Sequence, residues 1–219
     1  MRTALLAVII AMVPAACFGQ SPAGVDLAAN AQQSAAAAKQ SLATLAELAK
    51  GENAVRLGFT SPGDADRSEL GAPLTDFIVQ LDELRAWQPG SDTTRLLRPS
   101  GLVIYPVSVG GAPRSSITLK KQDSEWKAVS FGAPGQTQAV GRARASVVAA
   151  EGVSGPQTFQ VRIPAFNLTF VAALRGTSLM LTPATDAPNY GLTAGTTVAA
   201  DTLFTRLKPE AERDQGLPR

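Results

Sequence analysis

The sequence predicts an α+β fold: antiparallel β-meanders forming one curved sheet or two small sheets, with helices packed on one face, preceded by a signal peptide and an Ala-rich helix. Three observations predict it. First, Leu102 to Phe131 reads as three strands, Leu102 to Val109, Ser115 to Lys121 and Glu125 to Phe131. They are joined by Gly110-Gly111-Ala112-Pro113 and by Gln122-Asp123-Ser124, both rich in residues that accept turn conformations. Second, a similar run follows later: Thr158 to Ile163, Asn167 to Leu174 and Ser178 to Thr182, broken by Pro164-Ala165-Phe166 and Arg175-Gly176-Thr177. Third, a stretch with helical apolar spacing precedes each run, so the chain reads helix, meander, helix, meander.

Residues 1–20 have the layout of a secretory signal: Arg2 as the positive start, Ala4 to Val13 as the apolar run, Pro14 as the breaker, then small residues. The apolar run is too short for a permanent membrane span. Cys17 is the only cysteine and follows Ala15-Ala16 directly. This stretch resembles a lipobox, the bacterial lipoprotein signal, in which the Cys becomes the lipidated first residue. Pro14 departs from that pattern, standing where an aliphatic residue is usual. A second reading is cleavage after Gly19, which removes Cys17 altogether. Both place the protein outside the cytoplasm, in the periplasm or anchored at the outer membrane, and only a lipid anchor would bring it to a membrane.

Residues 21–50 read as an Ala-rich helical spacer. Asp26 is its cap, Gly51 its stop, and Ala31, Ala35, Ala38, Leu42, Leu45 and Leu48 its apolar positions. Its first half has no large apolar residue and reads as solvated; its second half has enough Leu to dock on a sheet. Residues 51–134 form the first α+β half. Within it, residues 59 to 73 are a polar loop, Asp76 to Leu81 alternates as a strand, and Asp82 to Trp87 is a short helix. Pro106 cannot donate to a ladder, so it marks an edge, a bulge or a kink in its strand and suggests a place where a partner strand adds. The second strand of the meander has a wet face of Ser116, Thr118 and Lys120, while the inner face of the third is ambiguous.

Residues 135–208 form the second half. Val140, Ala143, Val147 and Ala150 are the stripe of its opening helix, and Val198 to Leu207 is a closing helix. Residues 209–219 read as a loose tail.

Composition excludes several chemistries. There is no His, which removes the usual base near neutral pH and the commonest metal ligand. One Cys allows neither an internal disulfide nor a thiolate zinc site. No metal or other cofactor is expected. Residues 91 to 180 carry ten bases against four acids, but the bases are scattered rather than interleaved with aromatics, which argues against nucleic acid. Ser124-Glu125-Trp126-Lys127 matches S-x-x-K, yet its Ser sits in a turn and neither S-D-N nor K-T-G accompanies it. Gly110-Gly111 belongs to no phosphate loop.

These readings leave three functions. The first is a non-catalytic binding or accessory protein that partners another envelope component. The second is a module for an anionic or amphipathic small molecule, with Arg114, Lys120 and Lys127 as its bases and Tyr190 as an exposed loop aromatic. The third is a carboxylate-based hydrolase using members of Asp64, Asp66, Glu69 and Asp76, a set that also raises a calcium reading without the spacing of an EF-hand. Trp87, Tyr105, Trp126 and Phe131 read as core rather than as a pocket lining.

Overall fold

A computed structural model describes residues 22–213; the signal, Cys17 and residues 214–219 lie outside the described residues. The chain runs α1 (Leu27–Leu48), α2 (Asn53–Arg56), α3 (Pro62–Asp66), β1 (Glu69–Leu70), β2 (Leu74–Val79), α4 (Leu81–Ala86), β3 (Leu97–Val109), β4 (Ala112–Gln122), β5 (Glu125–Phe131), α5 (Pro134–Glu151), β6 (Phe159–Ile163), β7 (Leu168–Arg175), β8 (Ser178–Pro183), β9 (Val198–Ala199) and α6 (Ala200–Arg213). The nine strands among the described residues join one open sheet in the order β5-β4-β3-β2-β6-β7-β8-β9, with β1 paired to β3. Every pairing is antiparallel except β2 with β6, where the two meanders meet. The α+β class and both meanders are therefore as expected, and they form a single sheet. Among the described residues no helix is long and apolar enough to cross a membrane.

Helices pack on both faces, which corrects the expectation that they pack on one. Strand alternation puts Thr75, Phe77, Val103 and Tyr105 on one side and Leu74, Asp76, Ile104 and Pro106 on the other. On the first side α1 covers Val103, Tyr105, Val107, Ile117 and Leu119, while α4 and α6 cover Phe77, Val161, Phe170 and Leu181. On the second side α5 covers Leu74, Val171 and Ala173 through Ala139, Val140, Ala143 and Val147. Arg144 fastens α5 to the chain around β2 and β6. Its guanidinium donates to Thr158 Oγ1 at 2.8 Å and to the carbonyls of Ala72, Pro73 and Gly155 at 2.5, 3.0 and 2.6 Å. Burial lowers its pKa to about 10.

The Ala-rich helix is packed along its length, which corrects the reading of its first half as solvated. Asp26 caps it as expected, accepting from the Ala29 amide at 3.0 Å. The buried stripe is Ser34, Ala38, Ser41 and Leu45, with Leu42 half-buried, and Leu48 faces solvent. Small side chains let the helix lie close to β3, and the Tyr105 hydroxyl fastens it there, 2.8 Å from Ser34 Oγ and donating to the Ala31 carbonyl at 3.0 Å.

Pro106 does not mark an edge. β3 is paired on both sides, with β4 on one and with β1 and β2 on the other. The Pro106 carbonyl accepts the Gly71 amide at 2.7 Å, so the side of Pro106 that lacks an N–H faces the break between β1 and β2, where no carbonyl requires it. The strand-addition reading at Pro106 falls with this. A bulge at Val129, between the pairs Thr118↔Ser130 and Leu119↔Ala128, resolves the ambiguous face of β5. The extra residue lets Trp126 and Ala128 before it, and Phe131 after it, all pack under α1. At the other end, α6 continues through Pro209 to Arg213, past the expected start of the tail. Lys208 Nζ, bonded to the Arg85 and Trp87 carbonyls at 2.5 and 2.7 Å, and the fully buried Ala211 hold that last turn against α4.

Burial raises the Tyr105 phenol above its ordinary 10.0, with the Ser34 hydrogen bond pulling the other way. The folded state therefore favours the neutral phenol, and the unfolded chain ionises first. Stability from this group is complete below pH 10 and is lost as pH rises through the raised value. Tyr105→Phe should cost about 1 kcal/mol at neutral pH. It should also flatten the fall in urea midpoint above pH 10, measured by fluorescence-detected unfolding across pH 8 to 11.

Candidate functional site

The α5 side of the sheet is only partly covered. Along β3, Val103, Tyr105 and Val107 are buried under α1, while Leu102, Ile104 and Pro106, which alternate with them, are half-buried on the opposite face. α5 enters this face from Gly132, whose amide donates to the Ser116 carbonyl at 2.9 Å while Ser116 Oγ donates to the Gly132 carbonyl at 2.7 Å. Ala133, between that anchor and the helix, is held at φ 56°, a left-handed conformation that costs a non-glycine residue about 1 kcal/mol or more. The resulting turn sets the first two turns of α5 over a cavity of about 130 Å³.

The cavity is lined by apolar Leu74, Ile104, Pro106 and Val140 and by polar Ser116, Thr118, Ser130, Gln136, Thr137 and Gln160, with Ala133 at its lip. Thr137 Oγ1 donates to the Ala133 carbonyl at 3.0 Å. Its inner wall adjoins a buried network in which Asp76, fully buried, accepts from Gln160 Nε2 at 2.8 Å and from Arg162 Nε and Nη2 at 2.9 and 2.5 Å. The bonded carboxylate raises the Arg162 pKa above its ordinary value against the opposing effect of burial. Both oxygens of Asp76 are thus spent on the pair, and none of the cavity-lining groups titrates.

The structure brings together two of the four proposed ligand residues. Lys120 continues the Ser116–Thr118 face of β4, and Lys127 lies directly opposite it on β5. Like charges so placed repel, and the nearest relief is Glu125, 3.3 Å from Lys127 in an exposed pair. Arg114 is elsewhere. It is the extra residue of a bulge in β4, beside Gly111, Pro113, Gly141 and Arg142 in a separate open groove. Its carbonyl sits so close to Gly58 (φ 95°) that a Cβ there would come within 2.0 Å of it. Tyr190 is not a free loop aromatic: it is half-buried, with its ring centroid 5.4 Å from that of Phe166. Cys17 lies outside the described residues. Trp87 packs on Phe204, and Tyr105, Trp126 and Phe131 pack with α1, so these aromatics are core.

Two of the four acids proposed for hydrolysis, Asp64 and Asp76, are already engaged by neighbouring groups. Asp64 caps α3: it accepts from the Thr60 hydroxyl, from the Thr60 and Ser61 amides at 3.0 Å each, and from Arg67 at 2.6 Å. The Thr60 hydroxyl foremost, then the Ser61 amide, Arg67 and the Thr60 amide, hold its carboxyl well below the usual carboxylate range against burial. Asp66 and Glu69 are exposed, and Asp76 is paired as above. Among the described residues no group of three or more acids, His or Cys converges as a metal site would require. Sequence reasoning missed the Asp76–Gln160–Arg162 network. Its signal was the polar residues at 160 and 162 alternating with Phe159, Val161 and Ile163, which reads as a strand with one polar face.

Comparison with protein-family models, with curated proteins and with solved structures finds no match for this chain.

Arg162→Met strips Asp76 of its charge partner and should cost about 3 kcal/mol, the low end for a broken buried pair, because Arg162 itself is about a third exposed. Replacing both, as Asp76→Leu with Arg162→Met, should recover most of that loss in urea unfolding. A double variant no more stable than the single one would show that the pair itself stabilises the sheet.

Proposed function

We propose that the chain is an exported, non-catalytic binding or accessory protein of a bacterial envelope, and that its working surface is the cleft beside the first turns of α5. The make-up of the cavity carries this reading: eleven lining residues, apolar and hydroxyl or amide, with no titratable group among them to act as base or activated nucleophile. Size narrows it further. About 130 Å³ accommodates a benzene-sized or short alkyl group and is well under the roughly 300 Å³ at which drug-sized sites begin. The cavity therefore takes one apolar end of a ligand rather than the whole of it. Lys120 and Lys127, about 7 Å further along the strands than Thr118, favour an anionic group at the other end, which also keeps the small-molecule reading in play. The layout of residues 1–20 supports export, and Cys17 as the lipidated residue would add an anchor.

Hexyl phosphate combines the two features and serves as the probe. Titrated into isotope-labelled protein, it should shift the amides of Ile104, Thr118, Ser130 and Thr137 saturably. Ile104→Trp should abolish the effect by filling the cavity, and Lys120→Glu with Lys127→Glu should weaken it about tenfold. Shifts scattered over the surface, or indifferent to Ile104→Trp, would exclude the cleft.

Export is tested separately by mass spectrometry of the mature N-terminus. A diacylglyceryl Cys17 or a chain starting at Gln20 supports the envelope assignment, and an intact Met1 start opposes it.

A further inference from the structure

Helix α5 separates two openings. Gln136, Thr137 and Val140 face the cleft described above, whereas Gln138, Gly141, Arg142 and Ala145, on another flank of the helix, line an open groove of about 530 Å³ against the β3–β4 hairpin. The hairpin contributes Pro113, Arg114 and the turn before them. The backbone sets both arginines in place. Arg114 is the extra residue of the β4 bulge, with its carbonyl packed against Gly58, and Gly141 brings α5 so close to Pro113 that a Cβ would lie 3.0 Å from that ring. Neither guanidinium has an acceptor. Among the described residues every other arginine except Arg56 gives its guanidinium to a carboxylate or to main-chain carbonyls, so two of the three left over share one groove. No acid lines it. Glu69, opposite Ser108 on the neighbouring strand, is exposed and in no ion pair. Two cations in one groove without a counter-charge favour an anion there.

We propose that this groove is a phosphate site, distinct from the cleft, that takes inorganic phosphate or the phosphate of a monoester. The donor set selects the anion. One guanidinium satisfies both oxygens of a carboxylate, whereas two guanidiniums and the Gln138 side-chain amide offer the larger set of N–H groups that a tetrahedral dianion takes up. Small residues keep the floor clear: Gly111, Ala112, Gly141 and Ala145 project little into the groove. Because the groove is open, the phosphate seats between α5 and the hairpin while whatever carries it stays outside. A free phosphate, a soluble ester and a lipid headgroup share this chemistry.

Inorganic phosphate, phenyl phosphate and acetate are titrated into isotope-labelled protein at fixed ionic strength. Both phosphates should shift the amides of Gly111, Arg114, Gln138 and Arg142 saturably, and bind about tenfold more tightly than acetate. Arg114→Gln and Arg142→Gln should each weaken phosphate binding about tenfold. Ile104→Trp, which fills the cleft, should leave it unchanged, so loss of either site is read separately from the other. Arg142 is exposed, and its variant keeps the test intact should Arg114→Gln not fold. Vesicles of phosphatidylcholine with and without phosphatidic acid distinguish the sources. Cosedimentation that needs phosphatidic acid and is lost in both variants supports the site and assigns a lipid headgroup; phosphate binding without cosedimentation supports it and assigns a soluble phosphate. Arg56, unpartnered but outside the groove, is the control. Equal shifts around Arg56, acetate binding as tight as phosphate, binding indifferent to both variants, or no saturable shift and no cosedimentation overturns the inference.

Discussion

Everything in this fold depends on one parallel pairing. β2 and β6 are each the first full strand of a meander, and each meander alone is too small to bury its apolar residues on both faces. Joined side by side, they make a sheet wide enough for α1, α4, α5 and α6 to share. The join is made secure on both sides of the sheet. Phe77 and Phe159 meet edge to face across it, 5.3 Å between centroids, on the side of the larger core. Asp76, Gln160 and Arg162 close it on the other. A buried ion pair contributes little net stability against an apolar replacement, so its importance here is register. Sliding β6 by one residue would turn Arg162 into the core and leave Asp76 alone.

That polar join shapes the second face. Because Asp76, Gln160 and Arg162 occupy its centre, α5 has no continuous apolar floor to follow. It packs instead over the start of β4 and then over β7, with Gly141 letting it approach Pro113 closely. The cavity and the bare ends of β3, β4 and β5 are what that path leaves uncovered. The hydroxyl-rich face of β4 and β5 suits this position, since Ser116 and Thr118 on β4 and Ser130 on β5 tolerate water where a Leu or Val would not.

Much of the architecture was legible locally. Gly110-Gly111 and Asp123-Ser124 placed the first hairpins to within a few residues, and Asp26 placed the start of α1, because turn and cap chemistry acts over three or four residues. What was not legible is long-range. Nothing in the spacing of Asp76 and Arg162 announces that they face each other across 86 positions, and the reading of an Ala- and Ser-rich stretch as spacer failed because its partner, Tyr105, is remote in sequence. Bulges were equally opaque: Val129 looks like any strand residue, yet it decides which way Phe131 faces. Of the site, Lys120, Ser116 and Thr118 were visible as one wet face. The cavity above them needed the left-handed turn at Ala133, which no propensity for alanine suggests.

The edges of the sheet carry a consequence of their own. β5 ends it on one side with a bulge at Val129 and with alternating Glu125 and Lys127; β9, two residues long, ends it on the other. Both are features that keep exposed strands from templating further strands. Extension of the sheet from chain to chain is thereby discouraged at either end.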